Sequence, residues 1–246
     1  MVAFFPQTLS DLQSYIGQLV NDPSNTRYSL AEINNYLDLA QNRWNLEAKI
    51  CRQTDYSALI ANVYRYNLTT IATLPVMKIL RVTIKGVDLL KKSKDYMDMY
   101  SSNDWTTSQG TPQEFAVDLN SAPPSLILHP TPQGGDVVLY TNNVGISGQN
   151  PLGFEYITPH TTMVNAGDTP FMVNGVTNSL ILPYLAGLGI DVAASLLEPD
   201  PTQETILKAK GFRRQAEAYL SLVTQIYYDL EADEPFRMQG GRNWRY

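Results

Sequence analysis

The side chains best suited to acid–base or nucleophilic chemistry are scarce in this 246-residue chain: two histidines, His129 and His160, and one cysteine, Cys51. Imidazole titrates nearest neutrality and is the commonest metal ligand. A triad or a histidine-bound metal would have to recruit one of these two. Neither has a partner at a ligand spacing such as H-x-x-x-H or H-E-x-x-H. His129 ends an apolar run in "LILHP" and His160 sits in "TPHTT", so both read as loop or surface histidines. Cys51 falls at the end of an amphipathic stretch and reads as a small core residue rather than a nucleophile. "GLGIDV" (187–192) contains G-x-G, but no strand leads into it and the third glycine of a dinucleotide fingerprint is missing. Its glycines suit the close approach of another helix. No P-loop, nucleophile elbow or EF-hand loop occurs, and "EPDP" and "DLEADE" read as solvated helix ends. The reading is therefore of a chain that is not an enzyme, with no catalytic residue, no cofactor and no metal.

The chemistry that does stand out is that of recognition. Residues 235–246, "PFRMQGGRNWRY", hold three arginines, three aromatics and a Gly-Gly pair, with no Asp or Glu. The chain as a whole has 18 basic and 24 acidic side chains, a net charge of -6. Taking the three tail arginines from the 18 basic side chains leaves 15 against all 24 acids in the remaining 234 residues. A body so charged repels phosphate backbones and should not grip nucleic acid, although DNA could slide past it without sticking. The 15 tyrosines are not interleaved with basic residues, so they read as core and strand residues rather than as base-stacking platforms. The tail is too short and too polar to fold alone. It can order on a partner, with Phe236, Trp244 and Tyr246 as apolar anchors, Met238 beside them, and Arg237, Arg242 and Arg245 pairing with carboxylates. A frayed terminus is the plainer alternative.

Hydrophobic residues make up 43% of the chain, enough for a sizeable core. A single cysteine excludes an intrachain disulfide and fits a reducing compartment. The N-terminus lacks a signal peptide's basic region and long apolar run. The longest apolar stretch, 180–197, is broken by Pro183, Gly187, Gly189 and Asp191. It falls short of the roughly 18 apolar residues a membrane span needs, and no membrane association is expected.

Those residues need a scaffold, and the periodicity supplies one. Leu9, Leu12, Ile16, Leu19 and Val20 line one face of a helix capped by Thr8. "NDPSN" ends it, and the S-x-x-E pattern of Ser29 and Glu32 caps a second helix through Ile33, Leu37, Ala40 and Trp44. Strand signals follow at 61–68, 77–86, 114–119, 125–130 and 136–143, with "PQGG" as a hairpin turn. Residues 144–178 are rich in Gly, Asn, Pro and Thr and read as mostly extended loop, with short β pieces such as "FEYI". Helices return at 179, with Pro183 in a first turn and a last helix starting near Thr202. The expected fold class is α+β: an antiparallel bundle of N- and C-terminal helix pairs, an inserted small antiparallel β domain and an extended C-terminal arm. The expected divisions are 1–55 (helical hairpin), 56–145 (β domain), 146–178 (loop), 179–234 (C-terminal helices) and 235–246 (arm).

The middle of the chain resembles a known family. Trp105, then Gly110-Thr111-Pro112, Phe115, an apolar strand ending in Pro130-x-Pro132, and a strand ending at Tyr140 are similar to the β region of tailed-phage head-to-tail adaptor proteins. The helical opening, with Tyr36-Leu37-Asp38-Leu39-Ala40-Gln41 at the centre of its second helix, is similar to that family's opening. The resemblance covers about 8–145 and, more weakly, 179–230.

The resemblance implies a virion protein made in the host cytoplasm. It would assemble as a homo-oligomeric ring of about twelve copies beneath the portal protein and extend the DNA channel. Such a ring also offers a docking surface to a tail tube, nozzle or fibre protein, and DNA passes without sequence-specific binding. It further implies that residues 235–246 act as an arm reaching the portal. Two alternatives stay open at the level of sequence: another tail component such as a stopper or tail-tube protein, and a small-molecule-binding or hydrolytic α+β domain using His129 or His160 with a carboxylate.

Overall fold

The computed structural model describes residues 6–100, 106–134, 152–176, 178–200 and 202–233. The chain divides into two compact units, with boundaries at Cys51/Arg52 and Thr158/Pro159. The unit built from the two ends of the chain is helical, and the unit between them is made mostly of strands. This is the α+β arrangement of flanking helices and an inserted β region.

In the helical unit, α1 (Leu9–Leu19) starts at Thr8, whose hydroxyl accepts from the Asp11 N–H while the Asp11 carboxylate accepts from the Thr8 N–H. Two otherwise orphaned donors are satisfied reciprocally. After α1, the Asp22 carboxylate accepts the N–H groups of Thr26, Arg27 and Tyr28 and pins the reversal. α2 (Leu30–Ala48) is capped by Ser29 and stopped by Lys49 in the left-handed region, at φ 55°. α5 (Leu185–Leu197) is preceded by a 3₁₀ segment, Ser179–Tyr184, in which Pro183 is accommodated. α6 (Gln203–Asp233) is the longest helix, at 31 residues.

α5 is the centre of this unit: α1, α2 and α6 all pack against it. Two glycines permit this. A Cβ at Gly187 would lie 2.4 Å from Tyr219 Cβ on α6 and 2.8 Å from Trp44 Cη2 on α2. One at Gly189 would lie 2.8 Å from Tyr15 Cδ1 on α1. The segment Ser179–Leu197 has a mean hydropathy of 1.9 and is long and apolar enough to cross a membrane, which corrects the expectation that no stretch reaches that length. Its apolarity is spent within the protein, since 67% of it is buried there. Residues 159–176 also belong to this unit. Phe171 is buried in the helical core and its N–H donates to Gln41 Oε1 at 3.0 Å, while Leu9 N–H donates to the Asp168 carbonyl.

Among the described residues the β unit holds two four-stranded sheets. β1 (Arg52–Ser57), β8 (Leu152–Ile157), β3 (Lys78–Ile84) and β4 (Val87–Asp88) lie in that order, all antiparallel. The second sheet runs β2 (Arg65–Asn67), β7 (Ser125–His129), β6 (Glu114–Asp118) and β5 (Leu90–Lys91), with a short parallel pairing at the β5 edge. Two short helices, α3 (Leu68–Ile71) and α4 (Lys94–Tyr100), accompany the sheets among the described residues. Ile79, Val82, Phe154 and Tyr156 from the first sheet and Tyr66, Phe115, Leu126 and Leu128 from the second form one apolar cluster.

The strand Leu152–Ile157 falls in the stretch read as mostly loop, yet it lies between β1 and β3. Its partners are some 70 and 100 positions away in the chain, so nothing local marks it as central. The strand expected at 136–143 lies outside the described residues.

Candidate functional site

Both histidines prove to be paired with carboxylates, each for a structural reason. His129 and Glu114 are directly opposite on the antiparallel pair β7–β6, and His129 Nδ1 lies 3.5 Å from Glu114 Oε2. Such cross-strand neighbours meet wherever register places them. His160 Nε2 lies 2.9 Å from Asp38 Oδ1, and the His160 side chain is only 2% exposed. Its other ring nitrogen, Nδ1, is enclosed without a partner. A general base needs one nitrogen for the orienting acid and one within reach of a substrate proton. In His160 the first is taken and the second faces protein, so the imidazole has no nitrogen left for a substrate. His160 thus lies in a loop, as the sequence suggests, but its side chain is buried rather than at the surface. Cys51 is buried, and burial pushes its thiol pKa up to about 12, which removes the thiolate at any physiological pH. Among the described residues no three His, Cys, Asp or Glu side chains come together as a metal site.

The strongest polar constellation is one that sequence reasoning missed. Asp191, treated there only as an interruption of an apolar run, is a buried anion on α5 with a 2% exposed side chain. Trp44 Nε1–H donates to its Oδ2 at 3.0 Å, Arg43 Nη1 reaches Oδ1 at 3.3 Å, and Arg213 Nη1 donates to Oδ1. Arg213 also donates to Ser195 Oγ at 3.2 Å and to Glu198 Oε1. Burial alone would lower the Arg213 pKa, but Glu198 and Asp191 outweigh it and hold the guanidinium more firmly charged than usual. A charge taken out of water is tolerated only when paired and fully hydrogen-bonded. Here one carboxylate ties α2 and α6 to α5. The signal available in the sequence was an acid inside an otherwise apolar helix, with two arginines and a tryptophan on neighbouring helices.

With His160 enclosed, what the helical unit offers is surface. A groove of about 590 Å³ runs between α2 and α6, with Glu47, Glu217, Thr224 and Tyr228 among its lining residues. A smaller recess of about 200 Å³ is lined by Asn34, Asn35 and Asp38 of α2 together with Leu9, Gln41, Thr162 and Met163. Apolar side chains stand out on both helices: Leu39 is 56% exposed on α2 and Leu207 64% on α6. The candidate arm residues Phe236, Arg237, Met238, Arg242, Trp244, Arg245 and Tyr246 lie outside the described residues.

Comparison with known proteins gives one result of note. The family model described as SU10 adaptor protein matches residues 7–225, spanning both the helical and the β unit. No curated protein matches the chain.

Proposed function

The chain belongs to the SU10 adaptor family, a family of tailed-phage head-to-tail adaptors, and on that premise we propose that it is a structural connector of the virion. Copies assemble as a ring, of about twelve subunits, beneath the portal protein. The ring extends the DNA channel and presents a docking surface to a tail tube, nozzle or fibre protein. Residues 235–246 form the arm that attaches each copy to the portal. The observation that carries this reading is the family match over 7–225. The enclosure of His160 favours it further, because it removes one of the two histidines the hydrolytic alternative could use.

The charge distribution supports the same reading. A channel wall that passes DNA works best when it does not collect phosphates, and the chain carries a net charge of -6. The arm concentrates three arginines and three aromatics in twelve residues. One such arm binds weakly because ordering it offsets much of the contact energy. Many arms on a ring bind as a unit, through a high effective concentration.

The test is reconstitution with the cognate portal ring, imaged by electron microscopy. The full chain is expected to form a closed ring against one face of the portal. A chain lacking residues 235–246 is expected to remain folded by circular dichroism and to lose portal binding. Attachment of the truncated chain at wild-type strength would refute the arm, and failure of the full chain to join the portal would refute the adaptor reading.

A further inference from the structure

Residues 205–216, in the first half of α6, contain four cations, Lys208, Lys210, Arg213 and Arg214, and no acid. Residues 30–42, the first thirteen of the 19 residues of α2, contain two acids, Glu32 and Asp38, and no cation. In a chain of net charge -6, a cationic half-helix is the exception. Arg213 is consumed internally by Asp191 and Glu198. Lys210 and Arg214 are exposed and have no acidic partner among the described residues.

The faces that carry these charges point away from the core. Ala209, Ala216, Leu220, Val223 and Tyr227 are the buried positions of α6. At about 100° per residue, Leu207, Gly211, Arg214, Ala218 and Leu222 fall on the opposite side, within an arc of about 80°. Leu207 and Leu222 are 64% and 55% exposed there. On α2, Glu32, Asn35 and Leu39 likewise lie opposite the buried Ile33, Leu37 and Trp44.

Gly211 adds an independent observation. It sits inside a 31-residue helix at a negative φ, and a Cβ built on it meets nothing within 4 Å. A glycine in a helix interior costs about 1 kcal/mol relative to alanine. Nothing within the described chain requires it, in contrast to Gly187 and Gly189, each of which has another helix against it. Close approach by a neighbouring molecule would.

We propose that copies of this chain join head to tail, the outward face of α6 of one copy docking on the outward face of α2 of the next. This inference rests on the ring reading above and names its contact. Leu207 packs against Leu39, and Gly211 lets the helices approach. Lys210 reaches the recess lined by Asn34, Asn35 and Asp38, whose volume of about 200 Å³ admits its ammonium, and Arg214, about one turn further on, pairs with Glu32. The two faces differ, so the contact is heterologous, and repetition through one rotation closes a ring. Glu32 and the polar recess of α2 on one copy and the basic face of α6 on the next supply register as well as attraction.

Cysteine pairs test the geometry directly. A chain carrying L39C and L207C, oxidised on the cognate portal ring and separately at high concentration without it, is expected to give a ladder of disulfide-linked dimers, trimers and larger multimers. Either substitution alone gives nothing beyond dimers, and buried Cys51 stays out of the reaction. K210E/R214E is expected to weaken assembly at least ten-fold, and adding E32K and N35K to the same chain to restore it. Gly211→Gln is expected to block assembly without lowering the Tm of the unassembled chain. If the wild-type chain forms a ring while L39C/L207C gives no ladder and K210E/R214E assembles normally, the proposed contact is overturned and the adaptor reading stands. If the wild-type chain never joins the portal, the adaptor reading falls, and the ladder at high concentration decides the contact by itself.

Discussion

Replacing Gly187 by alanine is the most direct probe of how α5 holds the helical unit together. The new methyl group would lie 2.4 Å from Tyr219 Cβ, 2.6 Å from Tyr219 Cγ and 2.8 Å from Trp44 Cη2. Contacts this short do not occur, so something must move. Tyr219 Cβ is bonded to the backbone of α6, and a rotamer change cannot remove it. α6 itself would have to shift, dragging Arg213 away from Asp191. Alanine is intrinsically better than glycine in a helix by about 1 kcal/mol. Overpacking a tight core costs about 1–3 kcal/mol, more where backbone must move, so the expected net effect is a destabilisation of about 2 kcal/mol. Gly211→Ala is the matched control. The same chemical change in the open should stabilise the unassembled chain by about 0.5–1 kcal/mol. Urea unfolding followed by helical circular dichroism measures both. The reasoning is refuted if Gly187→Ala unfolds at the same or higher urea concentration than wild type, or if the two substitutions shift the midpoint in the same direction.

Three further outcomes follow from the same packing. Asp191→Ala leaves Arg43, Arg213 and Trp44 Nε1 without their shared acceptor and should cost about 3–5 kcal/mol, the range for breaking a buried pair from one side; urea denaturation reads it. Asp22 is held at a pKa of about 2, first by the Tyr28 N–H and then by those of Thr26 and Arg27 and the Thr26 hydroxyl, against the opposing effect of burial. A lowered carboxylate pKa stabilises the fold above the unfolded-state value near 4 and loses that contribution as pH falls toward 2. Asp22→Asn should therefore be less stable than wild type at pH 7, and the gap should close between about pH 4 and pH 2 in thermal melts. Cys51, with its thiol at about 12, should resist a thiol reagent at pH 8 in the native chain and react fully in urea; rapid labelling of the folded protein would contradict its burial.

Much of the helical unit was legible because its determinants are local. The Thr8 and Ser29 caps, the 3.6-residue spacing of Leu9, Leu12 and Ile16, and the apolar stripe of α6 each involve residues within a few turns of one another. At the start of α6 the apolar residue Ile206 is 38% exposed, and Ala209 takes the buried position one turn later. The site was less legible. The burial of His160 was not legible because it depends on Asp38, 122 positions away, and on Phe171 beside it. Asp191 looked like a flaw in an apolar helix because its partners Trp44 and Arg43 lie 147 and 148 positions off.

Sequence alone determined the four long helices, the concentration of arginine and aromatic residues in 235–246, and the α+β order of helices, strands and helices. Each follows from composition or from a repeat along the chain. Only the tertiary structure decided that "LGFEYI" is an inner strand, that two sheets share one core, and which helix faces look outward. Those outcomes depend on which distant segments meet, and a chain's local spacing carries no record of its long-range neighbours.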